Sequence, residues 1–228
     1  MSRYEILLWD VDQTLLDFEK SQDYALKSSF EKFGMEADDK IVSRYSEIND
    51  GYWKRLEKGE VTKAELLTGR FAALFEELGI THISALNFAP VYQEALGSVF
   101  YFRDDADLLC RKLKGRVRQY AVTNGVSKTQ RNKLRLSGLD KIFDDIFVSE
   151  EMGYPKPQIE YFEACFQKIP DFEKEKTVII GDSLSSDMQG GNNAGIACCW
   201  YNPYGKKNTA GLKINYEITN LWEVEELL

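Results

Sequence analysis

With 228 residues, 43% of them hydrophobic and 29% charged, and only five prolines, the chain excludes disorder and low complexity and is long enough for one large α/β domain or a core with a smaller insertion. A formal charge of −8 excludes a general binder of nucleic-acid polymers, which needs a basic stripe to displace counterions. It does not exclude small phosphorylated substrates, because one divalent cation and a few cleft lysines reverse the local potential.

The apolar run near the start carries Arg3, Glu5 and Asp10, too short and too charged for a signal peptide or a membrane span, so a cytoplasmic location without membrane partners is expected. Residues 5–9 read as a first strand, and Asp10, Asp12 and Thr14 follow it directly. Successive helical patterns then occupy residues 17–99 without a convincing strand. One runs over 21–33 and stops at Gly34. Another starts at Thr62, with Glu65 three residues on as a capping box, continues through Leu66, Leu67, Phe71, Leu74, Phe75 and Leu78, and ends at Gly79. This interval far exceeds a crossover between neighbouring parallel strands. Residues 17–99 are therefore expected to form an inserted all-helical domain, and residues 1–16 with 100–228 a discontinuous core.

Strand segments return at 118–122, 145–148, 177–180 and 197–201, with a candidate sixth at 216–218. Helical patterns separate them. The pattern at 127–136 closes at Gly138, that at 158–168 places Ile159, Phe162, Cys165 and Ile169 on one face, and 221–228 is amphipathic. This alternation predicts an α/β fold, a doubly wound parallel sheet with helices on both faces. Cys110, Cys165, Cys198 and Cys199 lack metal-ligand spacing; Cys198 and Cys199, adjacent in a strand, should point to opposite faces as reduced core thiols. The single histidine, His82, lies in a stretch that reads as a loop between helices and is taken as structural.

Open parallel sheets bind ligands beyond the carboxyl ends of their strands, and here those positions are polar. The first strand delivers Asp10 and Asp12, the second Thr123 and Asn124, and the fourth Gly181-Asp182 with Asp187 close behind; the loop after the third carries Pro155-Lys156-Pro157. Singly, each piece has an ordinary alternative as a turn residue, a cap or a solvated charge. Together they supply carboxylates for a hard cation, a hydroxyl and amides for phosphate oxygens, and a lysine for charge balance.

The set Asp10-Val11-Asp12-Gln13-Thr14, Thr123, Lys156 and Gly181-Asp182 followed by Asp187 resembles, in order and over nearly the whole chain, the four motifs of the haloacid-dehalogenase superfamily of phosphatases. The resemblance implies that Asp10 is a nucleophile forming an aspartyl-phosphate, and that Asp12 protonates the leaving alkoxide and then deprotonates water. Their environments must then hold Asp10 ionised and Asp12 protonated at the outset. It also implies Mg²⁺ held by the Asp10 carboxylate, the Asp12 backbone carbonyl and Asp182, with Asp187 supporting from behind. Thr123, Asn124 and Lys156 are expected to bind the phosphoryl group. An acid at position 12 favours ester hydrolysis over carbon–halogen cleavage. Gln13 occupies a variable position where it alters only local hydrogen bonding.

The helical segment containing Ile48-Asn49, Trp53, Gly59-Glu60-Val61-Thr62, Leu66 and Arg70-Phe71, together with Leu15-Leu16-Asp17-Phe18, is similar to the cap of the branch that dephosphorylates pyrimidine nucleoside 5′-monophosphates. A nucleoside 5′-monophosphate is thus the implied substrate. Aromatic residues at helical spacing usually pack together, and that is the first reading of Trp53 and Phe71; the alternative has a ring stacking on a base while Arg70 meets a polar substrate edge. A phosphatase or mutase acting on sugar phosphates shares every core motif. A phospho-acceptor receiver places its acceptor on a different strand from its acidic pair and lacks a large insertion. A binding protein with a disabled site would lack a group needed for turnover, and none is missing. Gly125-Val126-Ser127-Lys128-Thr129 lacks the glycines of a P-loop, and Gly190-Gly191-Asn192-Asn193-Ala194-Gly195 lacks G-x-G-x-x-G spacing.

Overall fold

The computed structural model describes residues 3–228, and the chain divides into two compact units. One unit comprises the segment up to Phe18 together with Phe100–Leu228, and the other is Glu19–Val99. β1 (Ile6–Trp9) opens the first unit. The second is built from α1 (Phe18–Lys32), whose first residue belongs to the first unit, and from α2 (Asp39–Glu57), α3 (Lys63–Leu78) and α4 (Ala85–Gly97). α3 forms where its ends are chemically marked. The Thr62 hydroxyl accepts from the Glu65 amide at 3.2 Å, the Glu65 carboxylate accepts from the Thr62 amide at 2.7 Å, and Gly79 stops the helix at φ 67°. The interior of this unit is aromatic: Phe71 stacks on Tyr45 at 5.2 Å between ring centroids and meets Phe88 and Tyr92 at 5.0 Å each.

The first unit continues with α5 (Ala106–Leu113), β2 (Arg118–Thr123), α6 (Ser127–Ser137), β3 (Asp145–Val148), α7 (Ser149–Met152), α8 (Ile159–Phe166), β4 (Thr177–Gly181), α9 (Gln189–Ala194), β5 (Ala197–Tyr201) and β6 (Tyr216–Ile218). All six strands are parallel, in the order β3-β2-β1-β4-β5-β6. Both sheet faces are covered, which is why the strands read as continuous apolar runs. Leu7, Trp9, Ala121, Val178, Ile180 and Cys199 share one face with Leu109 and Leu113 of α5, whereas Ile6, Leu8, Tyr120, Val122, Ile179 and Cys198 share the other with Tyr161, Phe162 and Cys165 of α8. The two neighbouring cysteines therefore do lie on opposite faces, and all four thiols are buried and free.

The order reverses at β1, since β2 lies on one side of it and β4 on the other, so the carboxyl ends of β1 and β4 flank a topological switch point. Register aligns them: Trp9 sits opposite Ile180, and the Asp10 amide donates to the Ile180 carbonyl at 2.9 Å. The chain leaves and re-enters this unit through two paired passages, with the Asp17 amide donating to the Tyr101 carbonyl at 2.8 Å and the Arg103 amide to the Leu15 carbonyl at 3.1 Å. The terminal segment differs from the expected α-helix. Leu221–Leu227 is wound as a 3₁₀ helix, and its buried residues Leu221, Val224 and Leu227 recur every third position, the period of that tighter coil. Among the described residues no helix is long and apolar enough to cross a membrane.

Candidate active site

Four strand ends bring the expected residues to one edge of the sheet. β1 stops at Trp9 and hands over Asp10, whose carboxylate is engaged at both oxygens. Oδ1 accepts from Lys156 Nζ at 2.6 Å, and Oδ2 accepts from the Thr14 hydroxyl at 3.2 Å. Thr14 in turn accepts the Asp182 amide at 3.1 Å, which ties the turn after β1 to the end of β4. Thr14 belongs to the first motif, but the sequence alone gave it no task; the structure makes it the brace between two acids.

Lys156 is buried and spends all three protons, on Asp10, on Asp187 Oδ1 at 2.7 Å and on the Val122 carbonyl at 2.9 Å. Burial works against its charge, yet Asp10 and Asp187 outweigh that cost and hold the ammonium more firmly protonated than usual. The loop carrying it is fixed by Asn124, whose side-chain oxygen accepts from the Lys156 amide at 2.8 Å while its nitrogen donates to the Lys156 carbonyl at 2.9 Å. Asn124, expected at the phosphate, thus uses its side chain to position the lysine. Thr123 is buried at the end of β2, and its hydroxyl accepts from the Gly125 amide at 3.1 Å.

Carboxylate oxygens of Asp10, Asp182 and Asp187 lie within 4.8 Å of one another. Lys156 contacts two of the three acids, Asp10 and Asp187. Burial first, and then the charge of Asp187, push the Asp10 carboxyl well above its usual range, although Lys156 opposes this. Burial and Asp187 likewise push Asp182 up to about 7. An all-oxygen donor set with excess negative charge fits a hard divalent cation such as Mg²⁺. Asp187 is the deepest member: Oδ1 is held by Lys156, and Oδ2 accepts from the Ser183 amide at 3.1 Å. Gly181 makes room for it, since a Cβ there would stand 2.3 Å from Asp187 Oδ2. Among the described residues, the Asp182 carboxylate takes no hydrogen bond, which leaves it available as a ligand.

The Asp12 carboxylate has its own pair of partners. Oδ1 accepts from Lys133 Nζ at 2.9 Å and Oδ2 from Gln130 Nε2 at 2.5 Å, both on α6. Neither partner was singled out from the sequence. The available signal was their position, one and two turns into the helix that follows Thr123-Asn124-Gly125. Gln13 adopts φ 64° and accepts from the Phe18 amide at 2.8 Å and from Arg103 Nη2 at 3.0 Å, so it braces the paired passages 13–18 and 100–103.

Within the helical unit, Phe71 is wholly interior, in keeping with a packing role, while Trp53 is half-buried beneath the Lys63 ammonium at 5.7 Å from its ring centroid. Arg70 is buried among the rings of Tyr45, Phe71 and Tyr92, and its Nη1 donates to Asn49 Oδ1 at 2.6 Å. No acid pairs with it among the described residues. Asn49 Nδ2 passes the chain of contacts on to Gln22 Oε1 at 3.3 Å.

A doubly wound sheet with an aspartate pair after β1, a lysine and an acidic pair after β4 defines a class of hydrolases. The family description "haloacid dehalogenase-like hydrolase" matches residues 4–195, and the chain belongs to that family. Among its relatives, YfnB of Bacillus subtilis, named as a HAD-hydrolase, is 42% identical over 228 residues, which is 100% of this chain and 97% of that protein. The crystal structure of YfnB bound to magnesium superposes with a TM-score of 0.93 at 40% identity, covering 99% of each chain. The pyrimidine 5′-nucleotidase PynA of Streptococcus pneumoniae is 36% identical over 99% of this chain and 95% of its own length. The pyrimidine 5′-nucleotidase YjjG of Escherichia coli is 27% identical over 99% and 98%.

Proposed function

We propose that the protein is a Mg²⁺-dependent phosphomonoesterase that acts through an aspartyl-phosphate on pyrimidine nucleoside 5′-monophosphates. One observation carries the chemistry: Asp10 stands at the switch point with a buried lysine on one oxygen and two further acids within ligand distance.

Asp10 attacks the phosphorus, and the bond to the ester oxygen breaks. Asp12 gives that oxygen its proton. In the second displacement Asp12 takes a proton from water as the water oxygen attacks phosphorus, and the Asp10 carboxylate is released with inorganic phosphate. Lys156 and Thr123 hold the transferring group, with Lys156 offsetting charge on its oxygens. Asp10, Asp182 and the Asp12 backbone carbonyl would hold the cation, with Asp187 behind them. When bound, the cation neutralises the crowded carboxylates and phosphoryl oxygens.

Two nucleotidases alike in length to this chain support the substrate reading, and so does the helical unit, where a buried guanidinium free of any acid offers donors suited to a carbonyl-bearing base. The test is phosphate release from a panel of deoxy- and ribonucleoside 5′-monophosphates and sugar phosphates, with Mg²⁺ and with chelator. Metal-dependent release favouring pyrimidine nucleotides is expected. A clear preference for sugar phosphates overturns the nucleotidase assignment and leaves the phosphatase chemistry standing.

A further inference from the structure

We infer that Lys133 and Gln130 are positioning residues that clamp the Asp12 carboxylate in the orientation from which it activates water in the second displacement. The inference rests on the aspartyl-phosphate reading above, and on nothing about the leaving group.

The geometry is specific at each step. Gln130 and Lys133 are three apart on α6, so their side chains emerge on one face of the helix. Both are buried, Lys133 completely. A buried ammonium is costly to desolvate unless a partner recovers that cost, so an interior lysine needs a partner. The partner is Asp12 Oδ1, at 2.9 Å. The lysine head also lies 5.4 Å from the centroid of the Phe18 ring, which fixes it from a second side. Gln130 takes the other oxygen, and the backbone is cut away to let it through: a Cβ on Gly125 would stand 2.0 Å from Gln130 Nε2. The gap at Gly125, the amide and the ammonium thus form a cradle for one carboxylate. With both oxygens held, the planar group has one orientation, and a base must be aimed within a fraction of an ångström to remove a proton from attacking water. Lys156, by contrast, touches Asp10 and Asp187, so the two buried lysines engage different carboxylates.

p-Nitrophenyl phosphate isolates the step. Its leaving group departs as a stable anion, so formation of the phosphoenzyme needs no proton from Asp12, whereas hydrolysis still needs Asp12 as base. In Lys133→Met, kcat for this substrate should fall on the order of a hundredfold, the usual cost of a misplaced catalytic group. KM should fall in proportion, because phosphoenzyme accumulates, and kcat/KM should hold within about twofold of wild type. Stopped flow should give a burst of p-nitrophenolate equal to the enzyme concentration. Gln130→Ala, which leaves the ammonium in place, should give the same pattern more weakly and guards against misfolding of the lysine variant, while Lys133→Arg should recover much of the rate. A loss in kcat/KM without a burst, or an unchanged kcat, overturns the clamp. Asp12→Asn measured alongside separates the two ideas: a burst there without one in Lys133→Met rejects the clamp alone, and no effect of Asp12→Asn rejects the mechanism beneath it.

Discussion

The edge of the parallel sheet and the interior of the helical unit bury their polar groups by opposite strategies. At the sheet edge, buried charges are answered by charges: Lys156 meets Asp10 and Asp187, and Lys133 meets Asp12. Inside the helical unit, the buried charge of Arg70 is answered by aromatic faces and a single amide, Asn49. The first arrangement holds each oxygen of Asp10 and Asp12, whereas the second leaves two guanidinium nitrogens of Arg70 without a hydrogen-bond partner among the described residues.

Perturbations sharpen that contrast, beginning with the most severe. Asp10→Asn should lower turnover on the order of 10⁴ to 10⁶-fold. Its melting temperature should stay close to wild type, because Asp10 is a crowded carboxylate and removing its charge relieves Asp187; collapse of the fold would show instead that the acid is structural. Chelation should bring phosphate release to background, and Mg²⁺ should restore it.

Phe71→Ala should cost about 3–5 kcal/mol, read by denaturant titration. If the two units are separately cooperative, the loss should appear in one of two transitions.

The sheet edge should respond to pH above the ordinary carboxylate range. The Asp182 carboxyl is raised to about 7 by burial and Asp187, and Asp10 is raised by the same two causes. Both bind protons more tightly folded than unfolded, so their effect on stability is most favourable near the unfolded carboxylate range, about pH 4. It declines as pH rises through 7. The metal-free protein should therefore melt lower at pH 8 than at pH 5.5, and added Mg²⁺ should stabilise more at pH 8; a flat profile by scanning fluorimetry would contradict the crowding. Smallest of all, Thr62→Ala should cost about 1 kcal/mol through the lost cap of α3, with no change in turnover of p-nitrophenyl phosphate.

The strand segments were legible because both sheet faces are buried, which turns each strand into an apolar run with its candidate residue at or directly after its end: Asp10 after Trp9, Thr123 at the end of β2, Asp182 after Gly181. α3 was legible for a different reason, its reciprocal cap. Helices α2 and α4 were not individually resolved, α2 because charges punctuate its apolar face, and α4 because Pro90 lies inside it. Lys133 was invisible for a deeper reason. A lysine in a helix as polar as Ser-Lys-Thr-Gln-Arg-Asn-Lys reads as solvated, and only tertiary packing buries it. Asn124 shows the converse, a residue found at the right place whose side chain serves the backbone of Lys156.

The sheet also ends abruptly. β3 is four residues long, begins with an exposed aspartate and closes one side; β6, three residues long, closes the other. An outer strand this short offers an incoming chain few free amides and carbonyls, so the sheet resists growth by edge-to-edge pairing. The wholly buried apolar strands β1 and β4, which would be the most adhesive segments if bared, sit at the centre, where colloidal stability at high concentration is best protected.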